Sequence, residues 1–504
     1  MPTRFGDETS RGRNSKMLAF RSESCRKKVF HKKDGAMPSR QYDVIIIGGG
    51  PAGSTAATLL AMDRHSVLVL EKAKFPRDHV GESLLPFCYS LFERLGVLDQ
   101  MKKMYVRKPG VRFLDADGNH STTWCFAHVL HGPDFLSFHV PRNLFDDMLL
   151  KNARKHGAEV EEETKVTAVD LDEPDRVEVT AVKADGTTIK YRGRFLLDAS
   201  GRDTFMANRN GWKKPHPQLD RTALSTHWMG GNQLGGISEG LLQILYLGGD
   251  KQGWLWVIPI QEGRLSVGVV LNAAYIREQK EKLLPAHGKQ WQMALYKQEL
   301  MESQFLRNVL DGARIVLPLM INGNFSYFID SDRKHGQNFA LIGDASTFID
   351  PIFASGVYLS INGARMVSDA LHVRFTKGEE QGAAEMDRAY EQINGAYKFV
   401  NKSIMYFYNP DAINLAQAGY AAPVLGDHQH YEDMMALGHY LLAGDFFERH
   451  KEYTEFLDML QDKRLFKRYK KLVMDRPEFQ ATSCGMGRAS IFPTEPPVLP
   501  VMQQ

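Results

Sequence analysis

The alternation of apolar and polar positions divides the chain into strand and helix patterns before any chemistry is considered. Residues 42–47, Tyr-Asp-Val-Ile-Ile-Ile, form a β-branched run of the kind a strand needs when both of its faces are covered, as in parallel sheets. Gly48, Gly50 and Gly53 follow at once, and residues 54–63 then take a helical pattern with small Ala56, Ala57 and Ala61 along one face. A second strand is predicted over 66–70, ending on Glu71. Strand patterns with turn signals recur over 177–191 and 241–270. Residues 339–347, Phe-Ala-Leu-Ile-Gly-Asp-Ala-Ser-Thr, read as another buried strand running into a Gly-Asp turn, and helical patterns cover 357–371 and 382–475.

The first turn has the GxGxxG spacing of a dinucleotide-binding Rossmann unit. Gly48 permits the tight turn, Gly50 lets backbone approach a pyrophosphate, and Gly53 allows close packing of helix on strand. The phosphates would meet the positive end of the helix. Glu71 lies close to the ~20-residue offset of an acid that binds a ribose hydroxyl, and its charge disfavours a 2′-phosphate. Gly48, Gly49, Gly50, Ala52, Gly53 and Glu71 are therefore the candidate cofactor-binding residues at this end.

Composition narrows the class. With 504 residues and 43% hydrophobic content, the chain can bury a large core. The formal charge of +3 is uneven: residues 1–40 hold 11 Lys/Arg against 4 Asp/Glu, leaving 52 against 56 beyond them. Residues 1–40 read as a basic disordered leader, with Met37 a plausible initiator. The body is near neutral, so no nucleic-acid partner is expected. No apolar run approaches the ~18 residues of a membrane helix and no secretory stretch is visible, which points to the cytoplasm. Cys25, Cys88, Cys125 and Cys484 lie far apart without a CxxC pair, so neither a disulfide framework nor a metal site is expected.

Gly343-Asp344, followed by six residues and Pro351, resembles the second FAD signature of the flavoprotein monooxygenase superfamily, whose aspartate binds the ribityl chain. Leu196-Leu197-Asp198-Ala199-Ser200-Gly201 resembles the segment that closes the FAD sheet, and Val140-Pro141-Arg142 with Asp146 resembles the superfamily's Arg-containing helix start. Together these imply FAD, with Arg142, Gly343, Asp344, Pro351 and Val357 added to its site. The fold class implied is α/β: a Rossmann-like FAD-binding domain interleaved with an antiparallel β substrate domain, plus a C-terminal helical region.

The resemblance narrows further, to the flavin-dependent halogenases of phenol and pyrrole type, over most of residues 41–410. Trp254-Leu255-Trp256-Val257-Ile258-Pro259 matches that family's WxWxIP motif. Residues two apart share a face of a strand, so Trp254 and Trp256, with Pro259, are implied to wall the organic substrate off from the flavin. His79-Val80-Gly81-Glu82-Ser83-Leu84-Leu85-Pro86 is similar to the family's loop after the second strand, with Glu82 near the cofactor. Phe348 to Gly356 is similar to its FxxPxxSxG stretch, except that Ala354 stands at the serine. Ser355 and Gly356 correspond to the halide-binding pair. Lys108-Pro109-Gly110-Val111-Arg112-Phe113 supplies the setting of the family's essential lysine. Phe353 stands where tryptophan-type members carry a glutamate.

The resemblance implies that a separate flavin reductase delivers FADH2, that O2 gives a flavin hydroperoxide, and that chloride or bromide attacks it to form hypohalous acid. Lys108 then presents the halogen to an electron-rich aromatic, free or carrier-protein-bound. The domain reading is a leader (1–40), an FAD-binding domain (41–400) with an inserted sheet at about 105–140 and 215–330, a helical cap (401–492) and a Pro-rich tail (493–504). Phe399, Tyr406, Phe407 and Tyr408 are read mainly as packed core. An aromatic hydroxylase, an isoprenoid-type flavin reductase and a non-catalytic flavin-binding module remain open alternatives.

Overall fold

The computed structural model describes residues 41–119, 121–128, 130, 132, 135–323, 325–409, 442–461 and 484–502. The leader at 1–40 and much of the expected cap, at 410–441 and 462–483, lie outside the described residues. Among the described residues a seven-stranded sheet is built around Gln41–Ile47. That strand pairs in parallel with Val67–Leu70 on one side and with Thr188–Asp198 on the other. Thr188–Asp198 also receives the distal strand Phe339–Leu341 in parallel, Leu196 opposite Phe339. The apolar runs form strands here because both faces are covered: Val44, Ile45 and Ile46 are fully buried.

The helix Pro51–Met62 starts on a proline, whose fixed φ and missing N–H suit a first helical position. Its small residues Ala56 and Ala57 are inaccessible to solvent, which lets the helix sit close to both the sheet and the long helix Gly356–Lys377.

An eight-stranded, mostly antiparallel sheet forms the second layer. Its centre is Gly253–Gln261 paired with Arg264–Asn272, and Leu242–Leu247 joins Gly110–Leu114 in parallel beside it. One face of this sheet, with Leu255, Val257, Val267 and Val269, packs on helices Ala273–His287 and Trp291–Glu302. The other face, with Trp254, Trp256 and Ile258, joins the core of the first layer. The alternation along Gly253–Gln261 thus separates two cores, and the interface between the layers is where a cavity opens.

One feature differs from the sequence reading. Cys125 and Cys484 form a disulfide, their Cα atoms 5.6 Å apart across 359 residues of sequence, while Cys88 is a buried free thiol. The spacing argument failed because it detects only local pairs; Cys125 is the last residue of a strand that meets a segment from the far end of the chain. The Pro-rich segment is largely exposed but touches the body at a few points: Leu499 is buried, Gln261 donates to the Pro497 carbonyl at 3.2 Å, and the Met502 amide donates to the Val316 carbonyl at 2.9 Å. No helix among the described residues is long and apolar enough to cross a membrane.

Candidate active site

A cavity of about 420 Å³ lies between the layers. Gly48, Gly50 and Ala52 reach it from the first turn, Glu71 from the second strand, Glu82 and Arg142 from one side, and Asp344, Pro351, Gly356 and Val357 from the distal segment. Segments nearly three hundred residues apart therefore line one chamber.

The glycines divide the work at the turn. A side chain on Gly53 would place its Cβ 2.0 Å from the Gly48 carbonyl oxygen, so this position serves helix-to-strand packing. At Gly50 the nearest atom to such a Cβ is Arg77 Nη2 at 3.5 Å, so the space above its backbone faces the chamber. Gly48 itself has φ +99°, a conformation other residues rarely adopt. Gly49 and Gly53 do not reach the cavity surface, nor does Gly343; they shape the turns behind it. Glu71 is held by two backbone donors, Gly49 N at 2.7 Å and Ala73 N at 2.8 Å, one on each carboxylate oxygen. Each oxygen keeps a further lone pair for a ribose hydroxyl.

Arg142 is clamped by Asp146 through two bonds of 2.8 and 3.0 Å and donates to the Val80 carbonyl at 2.5 Å, fixing the loop that carries Glu82. Asp344 is half-buried, at the cavity surface. Burial raises its carboxyl to about 6 despite Arg142 and Arg202, and Ser360 Oγ stands 3.4 Å from it. These groups fit a polyhydroxylated dinucleotide: a bare glycine turn for the diphosphate and carboxylates at two separated hydroxyl-bearing stretches.

Glu82 has partners that sequence reasoning missed. Its Oε1 lies 2.8 Å from His227 Nε2, and Arg264 Nε donates to His227 Nδ1 at 3.1 Å. Since arginine can only donate, Nδ1 must be bare, and the imidazole proton sits on Nε2 and points at Glu82. His227 and Arg264 come from neighbouring strands whose pairing sets His227 opposite Ser266, a juxtaposition no linear motif encodes.

The two indoles stand side by side, ring centres 5.4 Å apart, both buried and both facing the cavity. Trp256 Nε1 donates to Ser266 Oγ at 3.2 Å and Trp254 Nε1 to Asp350 Oδ1 at 3.2 Å. Ile258 continues this wall; Pro259, assigned to it from the motif, lies outside the cavity lining because its parity along the strand is opposite. Of the aromatic cluster, Phe399 packs with Phe446 and Tyr453 in the core, Phe407 meets Phe353 edge-on, and Tyr408 donates to Asp350 at 2.8 Å.

Ser355 begins the Gly356–Lys377 helix, and its buried Oγ has no hydrogen-bond partner among the described residues. A Cβ on Gly356 would meet nothing within 4 Å. An unpaired hydroxyl beside the first amides of a 22-residue helix suits a small anion. Ala354, just before, adopts φ +54°.

Lys108 is not on the cavity surface. It is fully buried on the short strand Val106–Lys108, its ammonium donating to the Leu84 carbonyl at 2.9 Å with the Phe126 ring 5.4 Å away. Burial lowers it from the ordinary 10.5 to about 7.

A mixed sheet with a parallel centre, a glycine turn and a distal Gly-Asp turn sharing one chamber define a FAD-dependent oxidoreductase. The chain belongs to the tryptophan halogenase family, whose family model matches residues 43–139 and 134–412. It is 33% identical over 372 residues to the flavin-dependent halogenase armH3 of Armillaria mellea, covering 71% of this chain and 73% of that protein. It is 30% identical over 355 residues to the 1H-pyrrole-2-carbonyl-(peptidyl-carrier protein) chlorinase of Pseudomonas fluorescens, covering 66% of this chain and 76% of the other. Among solved structures, the myxobacterial chondrochloren halogenase CndH superposes with a TM-score of 0.66 at 27% identity, covering 83% of this chain and 96% of that one. The protein is a flavin-dependent halogenase that uses FAD, halide and O2.

Proposed function

We propose that this halogenase acts on an electron-rich aromatic of phenol or pyrrole type, free or carrier-tethered, in the cytoplasm, and that Lys108 presents the halogen to it. The observation that carries the reading is Lys108: a fully buried amine, lowered to about 7, behind a chamber walled by Trp254 and Trp256. Bound FAD, reduced by a separate flavin reductase, supplies hypohalous acid from O2 and chloride or bromide. The chain's own residues divide the remaining work. The Gly50 amide, at the start of the Pro51–Met62 helix, receives the diphosphate, Glu71 accepts from ribose, and Asp344 accepts from the ribityl hydroxyls. Ser355 Oγ and the Gly356 amide hold the halide. The indoles exclude the arene from the cofactor chamber, so the oxidant must reach it elsewhere. Lys108, poised between ammonium and amine near neutrality, can donate to hypohalous acid or take up its halogen. Phe353, where a glutamate marks tryptophan-type members, supports the substrate class, as does the similarity to a pyrrole-carrier chlorinase.

The test supplies FADH2, O2 and bromide or chloride with a panel of free and carrier-tethered phenols and pyrroles. Halogenated product is expected, and Lys108→Ala should abolish it while FAD stays bound. Hydroxylated product at unchanged yield in the variant overturns the reading. NADPH alone should reduce the bound flavin slowly, since no second glycine-turn unit is visible in the sequence.

A further inference from the structure

Lys108 is flanked on both sides by contacts with the far end of the chain. Two residues after it, Gly110 pairs with Cys125, which the disulfide joins to Cys484. The Phe126 amide, next in sequence to Cys125, donates to the Pro109 carbonyl at 2.9 Å, and the Phe126 ring lies 5.4 Å from the Lys108 ammonium. Two residues before the lysine, Val106 shares a buried cluster with Leu136 and Ile491, and the helical turn Arg488–Ile491 lies against the strand itself. Gly240 stands where these contacts meet: a Cβ there would lie 2.2 Å from the Arg107 carbonyl oxygen, 2.8 Å from Ile491 Cγ2 and 3.3 Å from Pro109 Cδ. The segment 484–492 therefore brackets the backbone that carries the lysine.

Among the described residues, the disulfide is the strongest tie on that segment. Ile491 is its one buried residue, whereas Gly485 and residues 487–490 are exposed. The Cys484 amide donates to Glu239 Oε2 at 3.1 Å, and Arg488 pairs with Glu262 between two exposed side chains, a kind of contact that adds little. A covalent tether at Cys484 keeps Ile491 at high effective concentration over its partners; without it, one buried side chain is left to hold nine residues in place. The two sulfurs also differ in access. Cys125 is 3% exposed and Cys484 is half-buried, so an attacking thiolate reaches Cys484 first. In a reducing cytoplasm, the compartment proposed for this enzyme, such bonds are usually transient and redox-sensing.

We propose that Cys125 and Cys484 form a redox clasp on the Lys108 strand. Closed, it holds the segment 484–492 against the backbone of the lysine; opened, it releases the segment and slows halogen transfer. Opening takes a dithiol. One of its thiolates attacks Cys484 Sγ and the Cys125 thiolate leaves; its second thiol then displaces Cys484, so the pair gains two electrons and two protons and the dithiol departs as a disulfide. Closing takes the enzyme's own hypohalous acid. The Cys484 sulfur takes the halogen as the O–X bond breaks and water leaves; the Cys125 sulfur then attacks the S–X bond, the disulfide forms, and halide and a proton are released. The two thiols have lost two electrons and the halogen has gained them. The clasp rests on the reading of Lys108 given above and deepens it by naming what regulates the lysine.

Acetic anhydride labelling followed by peptide mapping reads the lysine without any turnover. FAD-loaded wild type that has been reduced with dithiothreitol and desalted under nitrogen should label at Lys108 severalfold faster than the oxidised protein, with FAD affinity unchanged. The Cys125→Ala, Cys484→Ser double variant should label at the faster rate in either buffer. With FADH2, O2, bromide and a phenol or pyrrole, its kcat should be about tenfold below wild type, inside the ~100-fold that a ~1 Å displacement of a reacting group can cost. Because the labelling comparison uses the wild-type chain, it decides the question even where the double variant folds poorly. Closure is read on reduced wild type given FADH2 and O2 with catalase present: the linked Cys125–Cys484 peptide should return with bromide and not without it. Labelling and kcat that ignore the state of the pair overturn the clasp and leave the halogenase reading intact. A linked peptide that returns equally without bromide overturns hypohalous acid as the closing oxidant. No halogenated product from either form overturns the reading of the lysine, whatever the labelling shows.

Discussion

The indole N–H of Trp254 donates at 3.2 Å to Asp350, tying the wall of the cavity to the turn that precedes the Gly356–Lys377 helix. Asp350 is fully buried, burial raises it to about 6, and it also accepts from Tyr408 and the Ile352 amide. Trp254→Phe keeps most of the ring but removes a donor from a buried carboxylate, and should cost about 1–2 kcal/mol in denaturant unfolding. Trp254→Ala should cost about 3–5 kcal/mol, because a cavity is added. A Trp254→Phe variant as stable as the wild type would mean that the bond to Asp350 contributes nothing.

Lys108 should make stability depend on pH. The unfolded chain holds this proton up to about 10.5, while the folded protein holds it only up to about 7. Unfolding therefore takes up a proton between those values, and the lysine's contribution to stability rises with pH across that window. Below about pH 7 the cost of burying the charge is felt in full. Urea unfolding of wild type and Lys108→Met at pH 7 and 9 should show the difference between them move by ~1–2 kcal/mol in favour of the wild type at the higher pH. A pH-independent difference would show that the amine is not displaced from its ordinary range.

Gly50 and Gly53 should separate cofactor binding from folding. Gly53→Ala sets a methyl against the Gly48 carbonyl and should lower thermal stability even without cofactor. Gly50→Ala has room in the chain itself, so it should fold normally and lose FAD affinity, read by flavin fluorescence titration. Normal FAD binding by the second variant would place the diphosphate elsewhere.

Ala354 holds a left-handed backbone conformation at φ +54°. Ala354→Gly should therefore stabilise the protein by about 0.5–1 kcal/mol, measured by denaturant midpoint. A loss of stability would mean that its methyl group contributes more packing than the conformation costs.

The thiol count tests the Cys125–Cys484 bond. Titration of unreduced protein under denaturing conditions should find two thiols fewer than the four found after reduction. Four thiols before reduction would show the bond absent from the purified protein.

Elements carried by continuous local patterns were legible in the sequence. The strand ending at Ile47, the glycine turn and the Gly356–Lys377 helix follow from periodicity and glycine placement, and the alternation of Trp254 and Trp256 foretold a shared face. What escaped depends on strand register. His227 and Arg264 serve Glu82 only because two strands pair in one particular register. Asp350 stood inside the quoted Phe348–Gly356 stretch, yet its role required knowing that an indole would reach it. Pro259 was assigned by its place in a motif, whereas strand parity turns it away from the cavity.

The bond between Cys125 and Cys484 also has a topological meaning. It closes a covalent ring spanning 359 residues, and that ring contains Asp344, Trp254 and Ser355, whereas the first glycine turn and Lys108 lie on the arm that leads into it. A protease cutting anywhere within the ring would leave the two fragments joined until a reductant was added, so a nicked protein would migrate as one species on a non-reducing gel and as two on a reducing one.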